Sequence, residues 1–113
     1  MARRTYTYLP QTTEAVQVLG LQIAAARRRR HRTATDLSER ARIDAKTLRK
    51  IERGDPTVAI GTVFEVAGLV GVSLFDTEPD QLPDLRARLT DQLALLPRRV
   101  ADITAETEDD DDF

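Results

Sequence analysis

The sequence predicts an all-α fold, and three observations carry that expectation. Ala, Val, Leu and Ile supply nearly all the apolar residues while aromatics are scarce, as in a small helical bundle. Apolar positions recur at helical spacing through each long segment. Residues that cap or stop helices stand where those periodic runs begin and end. At 113 residues, the chain has room for one compact domain with appendages.

Residues 1–12 read as an N-terminal arm. Tyr6-Thr7-Tyr8-Leu9 has strand-like propensity, but Pro10 follows and no segment pairs with it. From Glu14 to about Arg30, Val16, Leu19, Ile23 and Ala26 recur at spacings of three, four and three, which predicts a first helix capped by Thr12 or Thr13. Between Thr33 and Gly54 the pattern changes. Leu37, Ala41, Ile43, Leu48 and Ile51 are spaced four, two, five and three apart, which fits two short helices packed across a bend and not one continuous helix. Thr33 with Asp36 reads as a capping box with Asp in place of Glu, Asp44 as the N-cap of a helix over Ala45–Arg53, and Gly54 as its end. Ser38 is small where the two helices must approach. The second helix then presents Ala45, Lys46, Thr47, Arg49, Lys50 and Arg53 outward.

Asp55-Pro56 is a turn that cannot continue that helix. Ile60, Val63, Phe64, Val66, Ala67 and Val70 predict a fourth helix ending at Gly71, apolar enough to be buried on most sides. Val72–Phe75 follows as a short final element. Glu78-Pro79-Asp80 reads as a hinge, and Leu82, Leu85, Leu89, Leu93 and Leu96 mark a leucine-edged helix from Pro83 to Leu96, stopped by Pro97. That edge is expected to pack on its own domain or on a second subunit. From Asp102 onward there are seven acids and no base, the composition of a solvated, disordered tail. Such a tail is ordinarily a solubilising appendage, although Asp109–Phe113 also suits docking on a basic surface.

The net charge of −2 hides a segregation of charge. Between Arg27 and Arg53 there are eleven bases (arginines 27–30, 32, 40, 42, 49 and 53, with Lys46 and Lys50) against four acids (Asp36, Glu39, Asp44 and Glu52), a local net charge of +7. A protein that binds a polyanion needs such a local surface and not a positive total. Other functions find little support. Cysteine is absent and His31, the sole histidine, falls in an inter-helix turn. No Gly-rich phosphate loop or HExxH-like spacing occurs, so neither an enzyme nor a metal or cofactor site is expected. With no apolar run near the roughly 20 residues of a membrane span and no signal-like start, a cytoplasmic, nucleoid-associated protein is expected.

The two motif helices, over residues 34–53, resemble those of the phage-repressor-like family, the xenobiotic-response-element class of helix-turn-helix regulators. Ile51-Glu52-Arg53-Gly54 is the family's usual end to the recognition helix, and GDPTVAIGTVFEVAGLVGVSLFD is similar to its following segment, so the likeness covers roughly Leu19 to Asp76. It implies a five-helix, lambda-repressor-like DNA-binding domain over 13–77, with an extra C-terminal helix over 78–97 and the acidic tail over 98–113. It also implies residue roles: Ala45, Lys46 and Lys50 reading base edges, and Thr33, Thr47, Arg49, Arg53 and Arg30 holding the DNA backbone. Two departures stand out. Arg42 occupies the turn position where the family usually has Gly, so a non-Gly residue is expected in the left-handed region. Ala34 replaces a Gln that often contacts phosphate.

A homodimer is implied, with Val66, Val70, Leu74 and Phe75 as the expected interface and two recognition helices entering successive major grooves about 34 Å apart. The start Tyr6–Gly20, the Gly54–Asp76 segment and the Leu96-Pro97-Arg98-Arg99-Val100 stretch before the acidic Asp-Asp-Phe ending further resemble HipB-type antitoxins. Those proteins bind HipA-type kinase toxins and autorepress the shared operon. The alternatives are a stand-alone or prophage regulator without a toxin, and a protein-binding adaptor that has lost DNA binding, which the intact basic helix disfavours.

Overall fold

The structure is a computed structural model that describes residues 7–100. Among the described residues there are five α-helices and no strand: α1 (Pro10–Arg29), α2 (Ala34–Ala41), α3 (Ala45–Arg53), α4 (Ile60–Leu69) and α5 (Leu82–Ala94), the last preceded by a 3-10 turn at Pro79–Gln81. The all-α class is as expected. The chain divides into two units, the first ending at Asp76 and the second beginning at Thr77. The acidic stretch from residue 101 onward and residues 1–6 of the arm lie outside the described residues.

Helix α1 begins a turn earlier than its apolar period suggests, because Pro10 takes the first helical position with its φ preset and no amide to satisfy. Leu9 is therefore the N-cap, and its carbonyl accepts from the amides of Thr12 and Thr13, which lie inside the helix and do not cap it. The four helices of the first unit terminate alike. His31, Arg42, Gly54 and Gly71 sit at φ 57°, 60°, 80° and 80°, and each is followed by the paired backbone hydrogen bonds of a Schellman motif. Arg42 is left-handed as its position in the turn predicts; His31 is a second non-glycine residue held the same way.

The core draws on every helix of this unit. Ile23 of α1, Leu37 of α2, Leu48 of α3, and Val66 and Val70 at the end of α4 are fully buried, joined by Ala26, Ile51 and Ala67. Helix α3 rests directly on α1 because Gly20 lies at the crossing. A Cβ on Gly20 would stand 2.5 Å from the Ile51 carbonyl oxygen and 2.8 Å from that of Glu52.

Three expectations need correction. Val66 and Val70, expected at a dimer interface, are 0% and 1% exposed within one protomer, so they face its own core and have no surface to offer a second copy. Helix α4 is not buried on most sides: Ile60 is 69% exposed and Gly61, Glu65 and Gly68 are open, since one face suffices to close a bundle this small. Val72–Phe75 adds no helix, because Phe75 and Asp76 both take positive φ (59° and 52°) and turn the chain. The Phe75 ring meets Phe64 edge-to-face at 5.9 Å, yet the residue stays 66% exposed.

Helix α5 starts at Leu82, with Pro83 in its first turn, and ends at Ala94, short of Leu96. None of its residues is buried; Leu82 and Leu85 are half-buried, and Leu89 and Leu93 are exposed.

Candidate nucleic-acid interface

Helix α2 is set by Thr33, whose side-chain oxygen accepts from the Asp36 amide at 3.0 Å. Only half of the expected capping box forms, because the Asp36 carboxylate accepts from Arg32 Nη1 at 2.9 Å instead of reaching back to the Thr33 amide. Asp44 does occupy the N-cap position of α3 with extended backbone, but its side chain makes no capping hydrogen bond.

Helix α3 has two sharply different faces. Leu48 and Ile51 are buried, and on a 3.6-residue helix the opposite arc of about 100° is occupied by Lys46, Arg49, Lys50 and Arg53. All four are cations. Lys46, Arg49 and Arg53 are exposed and Lys50 is half-buried, and none makes a hydrogen bond or ion pair with another described residue. Ala45 is exposed in the first turn, and Thr47 is half-buried on the flank. The proposed base-reading and backbone residues of α3 thus share one helix, with Ala45 and Thr47 at the two margins of its basic arc.

The charges of α1 fare differently. Arg27 donates through Nε and Nη2 to both carboxylate oxygens of Glu52, at 2.7 and 3.0 Å, and through Nη1 to the Arg32 carbonyl at 3.0 Å. The Glu52 hydrogen bond, opposed by partial burial and reinforced by that carboxylate's charge, raises the Arg27 pKa further above its usual range. Three elements meet at one guanidinium: α1, the segment leading into α2, and the inward edge of α3. Arg30, expected on the DNA backbone, carries its guanidinium against Gly71 at the C-terminal end of α4, where a cation complements the negative end of the helix dipole. Thr33 is exposed beside α2, and its cap uses it only as an acceptor, so its hydroxyl proton is still available to an anion.

Beyond α3, Asp55 holds the connection to α4. Its Oδ1 accepts from the Thr57 hydroxyl at 2.6 Å and from the Thr57 amide at 2.8 Å. Those two bonds, aided by the charges of Lys50 and Arg53 against a small desolvation cost, hold the Asp55 carboxyl below its ordinary value.

Arg27, Glu52 and Gly20 were not singled out as a structural set by the sequence pattern. The pair is 25 residues apart and no periodicity links it. The available signals were an acid on an otherwise basic helix and a glycine inside a good helix, which marks close backbone approach.

Among the described residues, no cluster of His, Cys, Asp and Glu could hold a metal ion, and no helix is long and apolar enough to cross a membrane. No curated protein and no solved structure matches the chain. A family model does: residues 23–76, just under half of the chain, match a helix-turn-helix family. The matched segment includes the whole of α2 and α3, the two helices whose geometry is described above.

Proposed function

We propose that this chain is a sequence-specific double-stranded-DNA-binding regulator acting as a dimeric repressor, with α3 as the recognition helix. The observation that carries this reading is the arc of four unpartnered cations opposite Leu48 and Ile51, on a helix whose other face is locked to α1 and α2. A helix can enter the major groove only by an outward face, and here that face is entirely cationic. Lys46 and Lys50 donate to guanine O6 and N7, Ala45 lies against a base edge, and Arg49, Arg53, Thr47 and Thr33 fix register on phosphates. A two-fold dimer doubles the number of half-site contacts. With Val66 and Val70 committed to the core, its surface on the first unit centres on Leu74 and exposed Phe75.

Selection from a random duplex library, followed by electrophoretic titration on the enriched site and on random DNA, tests this function. Enrichment of a near-palindromic site is the expected result; equal affinity for enriched and random duplexes counts against sequence-specific recognition. Sedimentation at micromolar concentration reads the assembly.

The HipB-like antitoxin role, with a HipA-like kinase as partner, rests on the resemblance of Tyr6–Gly20 and the chain's acidic end. Co-purification with the product of an adjacent kinase gene, and growth rescue by co-expression, test it. A stand-alone or prophage regulator would show neither.

A further inference from the structure

A second feature of α3 lies on its α1 side. Between the two helices runs an open groove of about 410 Å³ whose floor is Leu21, Ala24 and Ala25 and whose rim is Arg28, Arg49 and Arg53. Leu21 is 66% exposed, an uncovered leucine in a groove that three arginines also line. The acid that also borders the groove, Glu52, is already occupied, because both of its oxygens accept from Arg27. The three rim arginines make no hydrogen bond or ion pair with any described residue; Arg53 has only the distant field of Asp55. The groove therefore has net positive charge, unused donors and an apolar bed.

We propose that this groove is a binding site for a small amphipathic anion, a carboxylate or phosphate head on a short aromatic or aliphatic body, and that its occupancy competes with DNA for Arg49 and Arg53. The volume falls within the range of small-ligand sites, which combine apolar walls with a few fixed polar groups. Charge complementarity sets the head: a planar guanidinium matches a carboxylate or phosphate in a bidentate fork. The floor sets the body, since a bare inorganic anion leaves Leu21 in water whereas an aromatic or aliphatic tail covers it. DNA backbone alone would satisfy the arginines but has no use for the leucine. The regulatory half of the proposal rests on the DNA-binding reading of α3: two of the three rim arginines are assigned there to phosphate, and neither can serve both partners at once. The ligand then acts as an inducer, lowering affinity for all DNA sequences and not discrimination between them, because Arg49 and Arg53 hold backbone.

The test uses the full chain and three probes, 4-phenylbutyrate, phenyl phosphate and inorganic phosphate, followed by amide chemical shifts. Both aromatic anions are expected to shift Leu21, Ala24 and Ala25 together with Arg49 and Arg53, with a Kd on the order of 1 mM or tighter for a ligand of this size. Inorganic phosphate is expected to be weaker by about tenfold, since it gains no apolar burial. Leu21→Ser, an exposed position outside the DNA-contacting set, is expected to weaken both aromatic probes about fivefold while leaving duplex affinity unchanged. Titration of a random duplex then reads the competition: each aromatic anion weakens DNA binding of the wild type and has less effect on Leu21→Ser. Equal response to all three probes, or an unaltered Kd in a folded Leu21→Ser, overturns the amphipathic site. Probe binding with no loss of DNA affinity overturns the competition alone. Probe binding in a protein that never binds duplex keeps the site and removes the DNA-binding reading, so the two fail separately.

Discussion

Arg27, Arg30 and Arg32, around the end of α1, and the outward face of α3 carry the same kind of residue and use it in opposite ways. Arg27 is bound on three sides, with its side chain only 12% exposed, and Arg32 is tied to Asp36. Arg30 is drawn over the end of α4. On α3, Lys46, Arg49, Lys50 and Arg53 have no such partners. A count of bases along the sequence treats all of these alike, yet Arg27, Arg30 and Arg32 are engaged within the fold while those of α3 make no hydrogen bond or ion pair with another described residue. For Arg27 the difference is made by the single acid on α3: Glu52 lies at the edge facing α1 and takes that guanidinium out of the free charge.

The largest effect should come from breaking that tie. Arg27→Ala leaves Glu52 part-buried and unpaired and is expected to cost about 2–3 kcal/mol, less than a fully buried pair because both side chains keep some solvent. Urea denaturation of Arg27→Ala, Glu52→Ala and the double variant checks it: the double variant should lose much less than the sum, and strict additivity would mean that the ion pair contributes no coupling. Gly20→Ala comes next. Its methyl group must push α3 away from α1, costing about 1–3 kcal/mol and displacing the basic face, so stability and duplex affinity should fall together in thermal melts and gel titrations.

Changes on the free side should leave stability alone and alter binding. Lys46→Ala or Lys50→Ala is expected to remove about 1–3 kcal/mol of discrimination between the selected site and random DNA. Arg53→Ala should weaken both DNAs equally and flatten the salt slope by about one unit. Equal loss on both DNAs for the two lysines would move them to the phosphate class. Arg42→Gly, which relieves a left-handed non-glycine residue, should stabilise the fold by up to about 1 kcal/mol, visible as a higher urea midpoint at unchanged slope.

The smallest effect is expected at Asp55. Its carboxyl pKa is lowered by Thr57, so the stabilisation is complete above the ordinary carboxylate value of about 3.9 and fades as pH falls through the lower folded value. Thr57→Ala should therefore narrow the stability difference between pH 5 and the acid limb, near pH 3 and below, a comparison accessible by calorimetry.

Much of the helix-turn-helix was legible in the sequence alone. The uneven spacing of Leu37, Ala41, Ile43, Leu48 and Ile51 located both motif helices, and α3 spans the expected Ala45–Arg53. Gly54 and Arg42 mark left-handed ends as anticipated. Less legible were the boundaries set by chain chemistry outside the apolar period, as at Pro10, and the direction in which α4 faces. Val66 and Val70 read as apolar surface because a helix apolar on several sides does not reveal which side meets its own core.

The sequence by itself determined the local elements, since helical period, caps and helix stops act over a few residues. It also determined that positive charge concentrates between Arg27 and Arg53. Only the tertiary structure decided which of those charges remain available. Arg27 meets Glu52 across 25 residues because Gly20 lets α1 and α3 come into backbone contact. Such a pairing depends on how two helices cross in space, and no short-range period in the chain records it.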